Sequence, residues 1–134
     1  MASRIPKEVK REIVDEWVAE TTWKVALFTS TSNCNDNGIS TYAACTNEVI
    51  GTGYTAGGAT IAGRVAAYID TTNTNIDATD VTWTTATIAG IWYAVVYETT
   101  GGLIRAVYDL GATYSVTNGQ FTLSWNASGL FKVK

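Results

Sequence analysis

One stretch limits the fold of this chain more than any other. It runs from Val81 to Asp109, VTWTTATIAGIWYAVVYETTGGLIRAVYD. Its middle, Ile88 to Tyr97, is the longest apolar and aromatic run in the sequence. β-branched and aromatic side chains lose rotamer freedom in a helix and fit a pleated, half-buried surface. The run stops at Glu98-Thr99-Thr100-Gly101-Gly102 and restarts as Leu103-Ile104-Arg105-Ala106-Val107-Tyr108. Two such runs joined by a short Gly-containing link predict a β-hairpin. That hairpin is expected to form the centre of a β-sheet domain.

Further strands are expected around it. In Thr21 to Ser30, Trp23, Val25 and Leu27 share one face and Lys24, Ala26 and Phe28 the other. A polar loop, Thr31 to Ser40, follows. Thr46 to Gly58 alternates short apolar pieces with glycines and reads as an extended loop. Ala59 to Asp70 reads as one long strand anchored by Ile61, Val65 and Ile69, and Thr71 to Asp80 as a turn-rich polar link. After the hairpin, Gly111 to Ser115 leads into a short strand. Thr117-Asn118-Gly119 then predicts a second hairpin turn, because Asn and Gly tolerate φ > 0. Gln120 to Asn126 alternates, with Phe121, Leu123 and Trp125 on one face, and Leu130 to Val133 closes the chain. Seven or eight strands at regular spacing predict an all-β, two-sheet antiparallel sandwich, with jelly-roll and immunoglobulin-like strand orders both open.

The N-terminal segment differs. Pro6 suits a first helical position, and Val9, Ile13 and Trp17 recur every four residues, with Val14 and Val18 widening the stripe. An amphipathic helix over Ile5 to Glu20 is expected. Residues 1–20 are thus taken as a helical arm and residues 21–134 as the β-sandwich domain. The helix either packs on its own domain or docks on a neighbouring subunit. Charge follows the same division. Up to Lys24 there are five basic and five acidic residues, whereas the remainder holds four basic and seven acidic ones, for a net charge of −3. No basic stripe exists to neutralise phosphates, which argues against nucleic-acid binding. No apolar segment approaches the length of a membrane helix. The opening MASRIPKEVKREIVDEW is charged where a signal's apolar segment would stand, so synthesis in the cytosol is expected.

The chain has no histidine. That removes Ser–His–Asp and Cys–His catalysis and the commonest metal ligand. Asp77 with Asp80, and Asp15 with Glu16, are the nearest carboxylate pairs, and nothing in the sequence places either in a cleft. Asn33-x-Asn35-x-Asn37-Gly38 imitates the opening of a calcium loop, but the twelfth position holds Ala44 where a Glu is needed. Gly51, Gly53, Gly57 and Gly58 have neither the third spacing of a dinucleotide fingerprint nor the Lys-Ser/Thr of a phosphate loop. No enzyme activity and no cofactor are expected. Cys34 and Cys45 flank one loop; a disulfide there would close about a dozen residues and add ~2–3 kcal/mol in the entropy model. Cytosolic synthesis favours free thiols, with a disulfide after cell lysis as the alternative. Five tryptophans could form a carbohydrate platform, but Trp23, Trp83 and Trp125 fall on apolar strand faces. Trp92 and Tyr93 are adjacent, so one of them must leave its sheet face.

Several pieces of the chain resemble small virion structural proteins of tailed bacteriophages. They are Thr46-Asn47-Glu48-Val49 with Gly51-Thr52-Gly53-Tyr54-Thr55-Ala56-Gly57-Gly58; Trp23 to Phe28; Asp80-Val81-Thr82-Trp83; Tyr93-Ala94-Val95-Val96-Tyr97; and Asn118 to Trp125. The resemblance spans about Trp23 to Phe131 and leaves out the N-terminal helix. It implies a β-sandwich that coats or joins part of a particle, with no catalytic residues to transfer. The expected role is a capsid decoration (cement) protein in the virion, assembled in the host cytoplasm, bound to the major capsid protein or other virion proteins and self-associating. The expected contacts are Val9, Ile13, Trp17 and Trp92. A tail, connector or fibre component is the alternative within that class, and a carbohydrate-binding module the alternative outside it.

Overall fold

A computed structural model describes residues 22–62, 65–68, 74–124 and 131–133. Among these residues the protein is built of antiparallel strands, and every strand pairing is antiparallel. The chain divides into two compact units.

The larger unit holds residues 21–61 and 81–123. Its strands are β1 (Trp23–Phe28), β2 (Gly51–Thr52), β3 (Ala59–Ile61), β6 (Val81–Glu98) and β7 (Ile104–Leu123). The order is β2-β6-β1-β3, with β7 also paired to β6. The expected hairpin forms, but only its first strand is internal: β6 lies inside the sheet, and β7 pairs with β6 alone among the described strands. Strand β6 joins β7 on one side and β1 on the other, with Val25 opposite Val96 and Phe28 opposite Tyr93. The turn is closed by Glu98, whose carboxylate accepts the backbone N–H of Thr100, Gly101 and Leu103 at 2.8, 2.7 and 3.1 Å. Those donors, Leu103 foremost, hold the Glu98 carboxyl below its ordinary pKa although the residue is buried. Gly102 takes φ 72, the left-handed region open to glycine.

Both faces of β1 are buried. Ala26 and Phe28 join Cys34, Val95 and Tyr97 in one cluster, against which Tyr42, Cys45, Tyr93, Ile104 and Val107 pack. On the other face Trp23, Val25 and Leu27 are fully buried with Ala94 and Val96. The face assignment read from the alternation of β1 holds.

One expectation about the hairpin region changes. Thr117-Asn118-Gly119 does not turn the chain, and β7 runs unbroken through it. Asn118 does take φ 45, but the residue is absorbed in a bulge, where Ala86 faces Gly119 and Ile88 faces Val116. The Asn118 N–H donates to Thr87 Oγ1 at 3.0 Å. Strand β6 makes the matching adjustment. Its buried positions are Val81 and Trp83, then Ala86 and Ile88, then Ile91, and the phase flips at Thr85 (φ 50) and Gly90 (φ 76). An extra residue in a strand moves every following side chain to the opposite face unless a second irregularity restores it.

The smaller unit contains β4 (Val65–Tyr68), β5 (Thr74–Asp77) and β8 (Phe131–Val133), in the order β4-β5-β8. The single strand expected over Ala59 to Asp70 is thus two. Its first part pairs with β1 and its second with β5. The polar link expected over Thr71 to Asp80 contains a strand. Thr-Asn-Ile-Asp has weak β-propensity, and neighbours on both sides impose the conformation. The expected helix over Ile5 to Glu20 and the position of Trp125 lie outside the described residues. The only helical turn among the described residues is a 3₁₀ turn, Tyr42–Ala44.

Candidate functional site

The most concentrated side-chain chemistry lies where the loop after β1 crosses the sheet. Glu48 bridges Phe28 and brings its carboxylate beneath the 3₁₀ turn. The Tyr42 hydroxyl donates to Glu48 Oε1 at 2.5 Å. The Tyr54 hydroxyl donates to Oε2 at 2.5 Å and accepts the Leu27 N–H at 3.0 Å. The Gly57 N–H donates to the same Oε2 at 2.8 Å, and the Tyr97 hydroxyl donates to Gly57 O at 2.6 Å. Tyr42 and Tyr97 stack with ring centroids 4.5 Å apart. Gly58 sits against β1, where a Cβ would stand 1.8 Å from the Val25 carbonyl oxygen, and its φ is +83. Only glycine fits there.

Burial, reinforced by the Glu48 carboxylate, pushes the Tyr42 and Tyr54 phenols far above their ordinary pKa, and pushes Tyr97 up to about 12. All three remain hydrogen-bond donors at neutral pH. Both oxygens of Glu48 have donors. The carboxylate holds the 3₁₀ turn through Tyr42 and the following loop through Tyr54 and Gly57, and Tyr54 and Tyr97 carry the connection on to β1 and β6. The Asn-rich segment is likewise a clasp. Asn33 Nδ2 donates to Ala44 O at 3.1 Å, and Asn33 Oδ1 accepts the Thr46 N–H at 2.8 Å. Among the described residues no group of His, Cys, Asp and Glu is arranged to hold a metal ion. Cys34 and Cys45 are both free thiols.

The exposed surface has a different character. Residues 81–91 and 110–124, which form the end of the hairpin away from its turn, contain no charged side chain. Thr82, Thr84 and Thr87 are exposed on β6, and Thr82 Oγ1 lies 3.1 Å from Thr122 Oγ1 across the ladder. Among the described strands β7 pairs with β6 alone. Ile50 is 91% exposed, and among the described residues Leu103 and Tyr114 are the other large apolar side chains standing in solvent.

Of the residues picked from sequence, Trp92 is placed and Val9, Ile13 and Trp17 lie outside the described residues. Trp92 is half-buried on β6, edge-on to Tyr93 at 6.5 Å. It stands where the ladder skips from Ile91–Tyr114 to Tyr93–Asp109. Trp23 and Trp83 are in the core, as their faces predicted, and so unavailable as a sugar platform. Sequence reasoning missed Glu48 as the hub. The available signal was an acid between two short apolar pieces, with Tyr and Gly-Gly close behind, in a body of few charges.

Comparison of the chain with sequence models of known families, with curated proteins and with solved structures finds no match.

Proposed function

We propose that this chain is a non-enzymatic virion structural protein of a tailed bacteriophage, and within that class a capsid decoration (cement) protein bridging capsid subunits. One observation carries the reading. The residues behind the resemblance, among them Glu48, Tyr54, Gly57, Gly58 and Tyr97, converge on one hydrogen-bonded scaffold. A motif whose carboxylate, phenols and glycines hold a loop on a sheet reads as part of the fold rather than as a reaction centre. Function then falls to the surface. The uncharged ribbon end and the exposed Ile50, Leu103 and Tyr114 suit contacts in which apolar anchors are buried inside a polar rim. Symmetry repeats each contact many times over a particle, so each needs to be only modest.

The finer architecture in this reading is a two-sheet sandwich. Its support is the burial of Trp23, Val25 and Leu27 on the face of β1 away from the loop cluster, as a second layer would produce. The partners are the major capsid protein or other virion proteins and further copies of the chain. The N-terminal arm, through Val9, Ile13 and Trp17, supplies one contact.

The test is the copy number of the chain per purified particle, by quantitative mass spectrometry. On the order of hundreds of copies supports head decoration, because the head lattice repeats its contacts that often. Roughly a dozen moves the chain to the tail, connector or fibre within the same class. None at all overturns the virion reading.

A further inference from the structure

The loop between Asn33 and Thr46 closes on itself through four hydrogen bonds. Asn33 Nδ2 donates to Ala44 O at 3.1 Å, the Thr46 N–H donates to Asn33 Oδ1 at 2.8 Å, Thr46 Oγ1 donates to the same oxygen at 3.2 Å, and the Asn33 N–H donates to Thr46 Oγ1 at 3.3 Å. Cys34 follows Asn33, and Cys45 lies between Ala44 and Thr46. Each cysteine is therefore one Cα step, about 3.8 Å, from a residue bonded across the clasp. Their side chains also turn the same way. Cys34 belongs to the cluster of Ala26, Phe28, Val95 and Tyr97, and Cys45 packs against that cluster. A disulfide requires close Cα atoms and converging Cβ directions; the clasp draws the two backbone segments together, and both cysteines pack at one cluster.

We propose that Cys34 and Cys45 are a modification site, a thiol pair that a small-molecule disulfide oxidises to an intramolecular bond. Cys45 is the entry point, because it is half-buried while Cys34 is 1% exposed. Its thiolate attacks one sulfur of oxidised glutathione, and a glutathione thiolate leaves. Cys34 gives up its proton to solvent and attacks the Cys45 sulfur, expelling the second glutathione. The two protein thiols are oxidised, and one oxidised glutathione is reduced to two thiols. Burial raises the Cys34 thiol, and burial with the nearby Cys34 raises Cys45 to about 11. The reaction is therefore slow at neutral pH and quickens about tenfold per pH unit up to that value. The bond would add a covalent link to a loop now held by hydrogen bonds and by the packing of Cys34, Tyr42 and Cys45 on the core. The proposal does not depend on the virion reading.

The experiment incubates the intact chain with oxidised glutathione, quenches with acid, and counts thiols in denaturant by maleimide labelling and mass spectrometry. The wild type should lose both labels with a mass decrease of roughly 2 Da and retain no glutathione. Its melting temperature should rise and return on treatment with dithiothreitol. Cys34→Ala, chosen because it places no hydroxyl in the core, should instead accumulate a stable glutathione adduct on Cys45. A wild type that stops at the Cys45 adduct overturns the proposal, as does one that keeps both thiols over hours at pH 9. Where Cys34→Ala does not fold, the wild-type mass and thiol count decide alone.

Discussion

Strand β6 is one strand under two burial regimes. From Ala94 to Glu98 five successive residues are buried, so both faces are covered. From Val81 to Ile91 buried and exposed positions alternate, with the phase shifted at Thr85 and Gly90. Near the turn, β6 has β1 along one side and β7 along the other, and the loop carrying Cys34, Tyr42 and Cys45 lies over one face. Away from the turn it has β7 and a two-residue contact with β2. A continuous apolar run reports cover on two faces and an alternating run cover on one. The boundary between them falls at Trp92 and Tyr93, where both side chains are half-buried.

The largest effects come from placing a charge at successive positions. Val95→Asp and Val96→Asp should each leave no folded protein by circular dichroism, because an unpaired buried carboxylate costs several kcal/mol whichever face it enters. Thr84→Asp should change stability by no more than about 0.5 kcal/mol, while Ile88→Asp should unfold the chain. If Val95→Asp or Val96→Asp folds normally, cover on two faces is wrong and the comparison fails.

Two glycines sharpen it at intermediate size. Gly58→Ala pushes a Cβ into the Val25 carbonyl at positive φ and should cost about 2–5 kcal/mol in denaturant melts. Gly111→Ala, also at positive φ but with nothing within 4 Å, should cost only the backbone strain of about 1–2 kcal/mol. Equal costs would mean that the turn at Gly58 yields as readily as the ribbon. Tyr54→Phe removes a donor to Glu48 and the partner of the Leu27 N–H, for about 1–3 kcal/mol, whereas Tyr114→Phe should lie within about 0.5 kcal/mol.

The smallest effects are in pH, and both arise in the doubly covered half. Glu98 is held below its ordinary value of 4.5, so its contribution is fully present above that pH. It is lost as the pH falls from there through the folded value. Tyr97 is raised from 10.0 to about 12, so its contribution is complete below pH 10 and is lost as the pH rises from 10 towards 12. Melting temperature should be level from about pH 4.5 to 9, begin to fall above 9 as the raised Cys34 and Cys45 thiols contribute, fall further above 10 with Tyr97, and fall below 4.5. Glu98→Gln should flatten the acid side and Tyr97→Phe should soften the alkaline side. An acid limb unchanged by Glu98→Gln would assign it to other carboxylates.

What the sequence made legible follows the strength of the local signal. The hairpin from Ile88 to Tyr108 could be read because its propensity, its turn residues and its apolar pattern agree. The faces of β1 could be read because six residues alternate cleanly. Asn118-Gly119 was informative about φ and misleading about topology, since positive φ serves a bulge as well as a turn. Strand β5 was hidden because Thr-Asn-Ile-Asp becomes a strand through its neighbours. Glu48 was invisible as a hub because its partners come from Tyr42, Tyr54 and Gly57, and no periodicity links a carboxylate to phenols six residues away on either side.

The carboxylate clip of Glu98 bears on how such a chain can change. It fixes the ladder at the turn, so the buried register near β1 is set from that end. Strand β7 has twenty residues to the eighteen of β6, and the mismatch is taken up in successive irregularities farther along. Insertion or deletion of a single residue near Gly111 can be absorbed in the same way, re-aiming the outer threonines without shifting Val95 or Val96. The outward face is then free to drift among descendants of this sequence while the interior keeps one alignment.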